Sequence, residues 1–476
     1  MGASRTLEQG CVMNEIRERT LWSSSENSAH NAWNVNFGNG NTSNNNKFNQ
    51  NRVRAVAALQ EVTYDISFES IFEAFDDCIR HKKSSPQCIE FCVLYFPKLV
   101  QLWKEVRAGT YRPGQSICFL VNIPTWREIF AADFRDRIIH HWICQREIPL
   151  FENRFLDTGN ISFNCRKDYG QFAAIGRLEA LIDECSEHRT RDCWIVEVDI
   201  RGFFMSISKS LLWEMIELFL RDNYTGDDIE CLLYLHRTSL FNRPTENCRF
   251  QTPRTLWRNL PRDKSLFSQP PDRGIAIGNH TAQQEANFYN SVLDHYITQV
   301  LGLRGVRFVD DLRLVVRTKE EGRTAIEKIG AFLRDQLLLT IHPKKVRIVH
   351  YKQGTNFLGA VLKDGRRYVS NRIRGRFVNK IRYFNTFADT ARAAEMAEPF
   401  VTTINSYFGL MGHFQAYTIR RKYALWILEK WRPYLYFTDE FRRAVVKAPY
   451  KRLSRIRAAI KSGDASSLFS EPLQID

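Results

Sequence analysis

No apolar run in this 476-residue chain approaches the roughly 18 residues that a membrane-spanning helix needs, so no such helix is expected. The N-terminus lacks the apolar core of a signal peptide. "MGASRT" fits the loose N-myristoylation pattern, but the pattern is too short to carry an anchor by itself. There is no CxxC pair among the eleven cysteines, and their number is odd. Both facts speak against a disulfide framework. Cys88 and Cys92 share one face of an expected helix, yet two more ligands at metal spacing are missing. Buried, reduced thiols in a reducing compartment are therefore expected. Internal repeats are absent too.

What is present is a folding composition with a cationic excess. Apolar residues make up 44% of the chain and aromatics 13%, enough for roughly two to four packing units. The net charge is +15, which suits a polyanionic partner, either nucleic acid or an anionic surface; a basic solvated surface is the plainer alternative.

Along the chain, residues 1–55 stand apart. "NAWNVNFGNGNTSNNNKFNQ" is Asn- and Gly-rich, with Trp33, Phe37 and Phe48 at intervals. It reads either as a low-complexity tail or as a small docking hairpin turned at "FGNGN". Residues 56–190 begin with helical spacing, followed by a strand at "SICFLVNIP" and a helix at "DFRDRIIHHWICQREIPLFENRF". Residues 191–365 alternate strands and helices around a Pro-rich stretch, 223–272, read as a loop. "TAQQEANFYNSVLDHYITQVL" reads as one helix, and "KVRIVHYKQGTNFLGAVL" as two strands. Residues 366–476 read as helical and strongly basic, with "FRRAVVKAPYKRLSRIRAAIKSG" as a further basic helix. The alternation argues for an α+β or α/β core.

Two segments carry carboxylates into apolar runs. "IVEVDI" ends on Asp199, and "RFVDDLRLVV" places Asp310 and Asp311 at a hairpin turn. Burying adjacent ionised carboxylates is costly. If the two strands pair, three acids converge at one end of a sheet and repel unless cations neutralise them. Mg²⁺ suits such hard oxygen ligands while leaving room for phosphates. Two ions about 3.5–4 Å apart can serve both the attacking and the leaving oxygen. The alternative for "VDD" alone is a solvated acidic turn.

These segments resemble the motifs of reverse transcriptases, in order, over roughly residues 120–425. "FVDD" resembles the YxDD hairpin, and "VEVDIRGFFMSI" the first metal-binding segment. "GIAIGNHTAQQEANFYNSVLDHYI" resembles the glycine turn and its helix. "REIFAADFRDRIIHHWI" and "NISFNCRKDYGQFAAIGRL" are similar to the fingers segments. "HPKKVRIV" and "TNFLGAVL" are similar to the two segments after the hairpin, and "INSYFGLMGHFQAYTIRRK" to the start of the thumb. The resemblance is to bacterial enzymes, nearest diversity-generating retroelements and the defence-associated unknown group. It implies an α+β right hand: fingers and palm, with antiparallel sheet and helices, and a helical thumb.

The resemblance also implies roles. Asp199 and Asp310 would ligate two Mg²⁺ ions (Mn²⁺ as a substitute), with Asp311 supporting and the Ile200 carbonyl as a further ligand. Phe204 would reject a 2′-hydroxyl as a steric gate; an ordinary core ring is the alternative. Arg166 and Lys167 would grip the triphosphate, and Gly274 and Gly278 would let backbone approach the nascent pair. Gln283 would touch the templating base, and Lys344 or Lys345 would protonate pyrophosphate. Ala276 and Ala282 depart from the usual Pro and Ser, which bears on base selection and fidelity, while Phe308 in place of the usual Tyr loses a hydroxyl and keeps the ring. Arg420, Arg421 and Lys422, among Trp426, Trp431 and Tyr434, would hold nucleic acid. The implied partners are a structured non-coding RNA template, dNTPs, a cDNA product and a second copy in a homo-oligomer, in a bacterial cytoplasm without membrane attachment. Antiphage defence, diversification of a target gene and a catalytically inactive RNA-binding scaffold are the three biological readings.

Overall fold

Trp194–Asp199 is buried at its four central residues, as an interior strand of a covered sheet must be. The structure is a computed structural model, and it describes residues 31–35, 42–46, 63–80, 85–122 and 125–451. It divides into two units, residues 1–63 and 64–476. In the first, β1 (Asn31–Val35) and β2 (Thr42–Asn46) pair antiparallel, from Asn31↔Asn46 to Val35↔Thr42. That is a hairpin ladder rather than a tail. The "FGNGN" turn, the rest of the Asn-rich segment and the myristoylation pattern lie outside the described residues.

The second unit opens with α1 (Phe68–Ile79), α2 (Pro86–Val93) and α3 (Tyr95–Arg107). Then come β3 (Ser116–Val121), β4 (Arg127–Ala131), α4 (Phe134–Asp157) and α5 (Gln171–Cys185). After β5 (Trp194–Asp199) follow the short α6 (Phe203–Ser206) and α7 (Lys209–Asn223).

The stretch 223–272 is not the expected loop. It holds α8 (Ile229–Phe241), β6 (Cys248–Phe250) and three short 3₁₀ turns. Leu232, Leu235, His236 and Leu240 recur at helical spacing and are buried, and the prolines all fall after the helix. β6 adds in parallel to β3. The buried Glu128 of β4 anchors this insertion by accepting hydrogen bonds from Trp257 Nε1 (2.6 Å), Ser265 Oγ (2.9 Å) and the Leu266 amide (2.7 Å).

The expected helix over 281–301 is interrupted. It forms α9 (His280–Tyr289), α10 (Ser291–His295) and a π turn, Tyr296–Val300. β7 (Arg304–Phe308) and β8 (Asp311–Val316) make the hairpin, followed by α11 (Lys319–Leu337). The start of α11 is set by an N-cap: Thr318 Oγ1 accepts from the Glu321 amide at 3.1 Å. Gly322 lets α11 approach β5 closely, since a Cβ there would lie 3.1 Å from Val196 Cγ2.

β9 (Arg347–His350) completes a four-stranded sheet in the order β7-β8-β5-β9, every pair antiparallel. Its two faces follow the two-residue period of strands. Val196, Val198, Leu312 and Leu314 join the core formed with α4, α7, α8, α9 and α11. Ile195, Val306, Val315 and Val349 join the core formed with α5 and the C-terminal helices. Where two strands were expected over 345–362, the chain forms three, β9 followed by β10 (Thr355–Phe357) and β11 (Ala360–Lys363), and β12 (Arg366–Val369) pairs with β11. The chain continues through α12 (Asn371–Asn385), α13 (Ala393–Gly412) and α14 (Tyr417–Trp431). It does not stay helical. β13 (Leu435–Thr438) and β14 (Arg443–Val446) form a hairpin where a basic helix was expected, and residues 452–463 of that helix lie outside the described residues. The α+β class holds, and among the described residues no helix is long and apolar enough to cross a membrane.

Candidate active site

β5 ends on Asp199 and β8 begins on Asp311, and the two are register partners, so their side chains leave the same face of the sheet. Asp310 sits in the preceding turn, where its carbonyl accepts a 3.3 Å hydrogen bond from the Ile200 amide. The chain after Asp199 is tied down next to it: His342 N donates to the Asp199 carbonyl and Arg201 N to the Thr340 carbonyl, both at 2.8 Å. Three carboxylates from distant segments therefore share one end of the sheet.

The electrostatics are unbalanced. Burial, and then the Asp199 carboxylate, push the Asp310 carboxyl up to about 6; Asp311 adds to this and Lys345 opposes it. Burial also raises Asp311, against the pull of Arg313. Asp199 Oδ2 is paired with Lys345 Nζ at 2.7 Å, and Asp311 with Arg313. Among the described residues, Asp310 has no ion-pair partner. No three His, Cys, Asp or Glu side chains of the described residues are arranged as a metal cluster. The donor set nevertheless fits a hard divalent cation, because crowded carboxylate oxygens carry negative charge that the chain leaves incompletely matched. Asp199, Asp310 and Asp311 could hold it. Arg313 was missed in the sequence, although two residues beyond Asp311 on a strand means the same face; it also lies opposite Glu197.

Phe204 is half-buried and edge-on to Phe203 at 5.6 Å, just after β5. Gly278 has φ +134°, and a Cβ there would lie 2.5 Å from the Phe130 carbonyl oxygen. Glycine is thus required at 278 for the 274–279 turn to meet β4, where Phe130 N donates to the Ile277 carbonyl at 2.8 Å. Gln283 is exposed, and its Oε1 accepts from Cys165 Sγ at 3.2 Å, which puts it beside the Arg166–Lys167 loop.

Two arginines sit differently from expectation. Arg166 is buried and stacked 3.8 Å over the Tyr169 ring. Its donors go to Glu152 (2.8 and 2.5 Å), Asn160 Oδ1 (2.8 Å) and the Ser162 carbonyl (2.6 Å). It is a brace of its loop, while Lys167 is exposed. Arg420 is buried, its Nη1 lying 3.9 Å from where a Cβ would stand on Gly412, while Arg421 and Lys422 are exposed on α14. Glu152 and Asn160, 14 and 6 residues before Arg166, turn it inward, and composition alone does not show that they meet it. Lys345, not Lys344, reaches Asp199; the Lys344 amide donates to His342 Nδ1 at 3.2 Å.

A family model described as reverse transcriptase (RNA-dependent DNA polymerase) matches residues 125–362. No curated protein matches the chain. Among solved structures, apo telomerase from Candida tropicalis truncated from the C-terminal domain is 10% identical with a TM-score of 0.38, covering 53% of this chain and 55% of that one. Telomerase from Candida albicans, in complex with a TWJ fragment of telomeric RNA, is 11% identical with a TM-score of 0.36, covering 68% and 59%. Apo telomerase from Candida tropicalis is 10% identical with a TM-score of 0.39, covering 75% and 68%. The chain thus spans little more than half of the first two of these structures, and likeness at this level carries no inference.

Proposed function

The chain belongs to the reverse transcriptase family, whose model matches half of it, and from that premise we propose that it is an RNA-directed DNA polymerase making cDNA on a structured non-coding RNA. The observation that carries this is the register Asp199↔Asp311 with Asp310 in the adjoining turn. Asp199, Asp310 and Asp311 hold the metal. Mg²⁺ ions, or Mn²⁺ in their place, would offset charge on the attacking 3′-hydroxyl and on the departing pyrophosphate. The Ile200 carbonyl serves as a further ligand. Phe204 excludes the 2′-hydroxyl of an incoming nucleotide. Lys167, exposed on the loop braced by Arg166, contacts the triphosphate. Lys345, paired with Asp199 here, protonates the leaving pyrophosphate once released, a reading that its reach to the acid cluster supports. Gln283 contacts the templating base. Arg421 and Lys422 hold nucleic-acid backbone.

The role favoured is antiphage defence in a bacterial cytoplasm; a diversity-generating element is the alternative. The test is to purify the chain with its bound RNA, supply labelled dNTPs and Mg²⁺, and sequence the product, with and without phage infection. DNA complementary to the bound RNA supports the reading. An absence of templated DNA in every condition removes it, and a matching repeat with a variable protein gene next door would favour diversification.

A further inference from the structure

Val309 has φ +62°, in the left-handed region, between Phe308 and the metal-binding pair. A β-branched residue is an outlier there, because its Cβ substituents crowd the following carbonyl. Glycine would adopt this φ without strain, so Val309 must be held.

Buried side chains from three separate segments hold it. The Val309 amide donates to Asn164 Oδ1 at 2.8 Å. The Val309 carbonyl accepts from Asn290 Nδ2 at 3.2 Å and from Arg307 Nη1 at 3.0 Å. Asn164, Asn290 and Arg307 are all nearly or wholly buried. They are fixed in turn: Arg307 is bidentate to Asp294 (2.6 and 2.5 Å) and donates to Asn287 Oδ1 at 3.0 Å. Asn287 Nδ2 donates to the Asn164 carbonyl at 3.2 Å. Residues 161–163 are stitched to β7 by Arg307 N to the Ile161 carbonyl (2.6 Å) and Phe163 N to the Arg307 carbonyl (2.9 Å). Asn290 lies where α9 gives way to α10, which supplies a reason for that break.

We propose that Asn164, Asn290 and Arg307 are positioning residues: they clamp Val309 in a conformation it would otherwise leave, and so aim Asp310 at Asp199. This rests on the polymerase reading. Because Asn164 is two residues before Arg166, the clamp also ties the triphosphate loop to the catalytic turn.

Asn164→Ala is expected to lower kcat for primer extension by about 100-fold, the cost of a misplaced reacting group, with KM for dNTP changed less than about threefold. Adding Val309→Gly to Asn164→Ala should restore at least about tenfold, since glycine needs no clamp. A merely structural Asn164 would not be rescued by a glycine at 309, so an unrescued double variant overturns the proposal, as does full activity in Asn164→Ala. Should Asn164→Ala fail to fold, Asn290→Ala, which leaves the Val309 amide bonded, carries the same pattern at smaller size. Hydrogen exchange at the 308–311 amides gives a reading independent of catalysis. Exchange should quicken in Asn164→Ala; unchanged protection overturns the clamp even if wild type makes no DNA, an outcome that would separately remove the polymerase reading.

Discussion

Glu147, His236 and Glu285 in the helical core, and Asp199, Asp310 and Asp311 at the sheet end, are both acid clusters withdrawn from water. Their counter-charges differ. In the first, His236 Nδ1 pairs with Glu147, and Nε2 lies 3.4 Å from Glu285 Oε1, all three being buried. Burial favours the neutral ring, but the two carboxylates hold His236 up to about 10. There the counter-charge is a buried side chain fixed between the two acids. In the second, Asp199 depends on Lys345, whose side chain is 54% exposed, and Asp310 is left unmatched. A cluster balanced from within serves the fold; one balanced by a detachable arm leaves room for a charge brought from outside. That difference separates structural acids from candidate catalytic ones more sharply than burial does.

Breaking each cluster should give opposite results. Asp199→Asn or Asp310→Asn should cost on the order of 1,000-fold in cDNA synthesis, read by primer extension, with no loss of thermal stability. His236→Gln should do the reverse. It leaves two buried carboxylates uncompensated, costing about 3–5 kcal/mol in denaturant unfolding, while the protein that remains folded keeps its chemistry. The sign with pH follows. Because His236 titrates above the ordinary 6.5, its stabilisation is complete below that pH and is lost as pH rises through about 10. Wild type should therefore lose stability between pH 7 and 10 in a way His236→Gln does not. Phe204→Ala sharpens the picture just beyond the acids: rNTP incorporation should rise by about 10- to 200-fold relative to dNTP, and an unchanged ratio makes Phe204 a core ring only. The smallest effect concerns the detachable arm. Lys345→Met should lower the Mg²⁺ concentration for half-maximal binding by no more than about fivefold, the worth of one exposed pair, in a metal titration of the nucleic-acid-free protein.

The sequence made some parts of this legible and hid others, for physical reasons. β5, β8 and α11 carry strong periodicity, and Asp199 and Asp310–Asp311 stand out because carboxylates are rare in apolar strands. α8 was obscured by the Pro-rich run that follows it, and what holds the insertion in place is Glu128, 129 to 138 residues before the groups it binds. The β13–β14 hairpin was masked by its arginines, although "YLYFT" is β-prone. Arg166 and Arg420 look like surface cations by composition; only the fold shows Glu152 against one and the burial of the other. Val309 gave no signal, since its residue type contradicts its conformation and the groups that impose it lie outside the turn.

The central claim is that the carboxylates at the sheet end form a socket for divalent cations. Raising Asp310 to about 6 means that ionising it costs the folded chain stability as pH climbs above 3.8. The most direct measurement is thermal unfolding of the nucleic-acid-free protein at pH 7.5 across a Mg²⁺ titration, wild type beside Asp310→Asn. The variant should melt higher without Mg²⁺, and Mg²⁺ should stabilise wild type far more than the variant. Equal melting temperatures and equal responses in the two proteins would contradict the account.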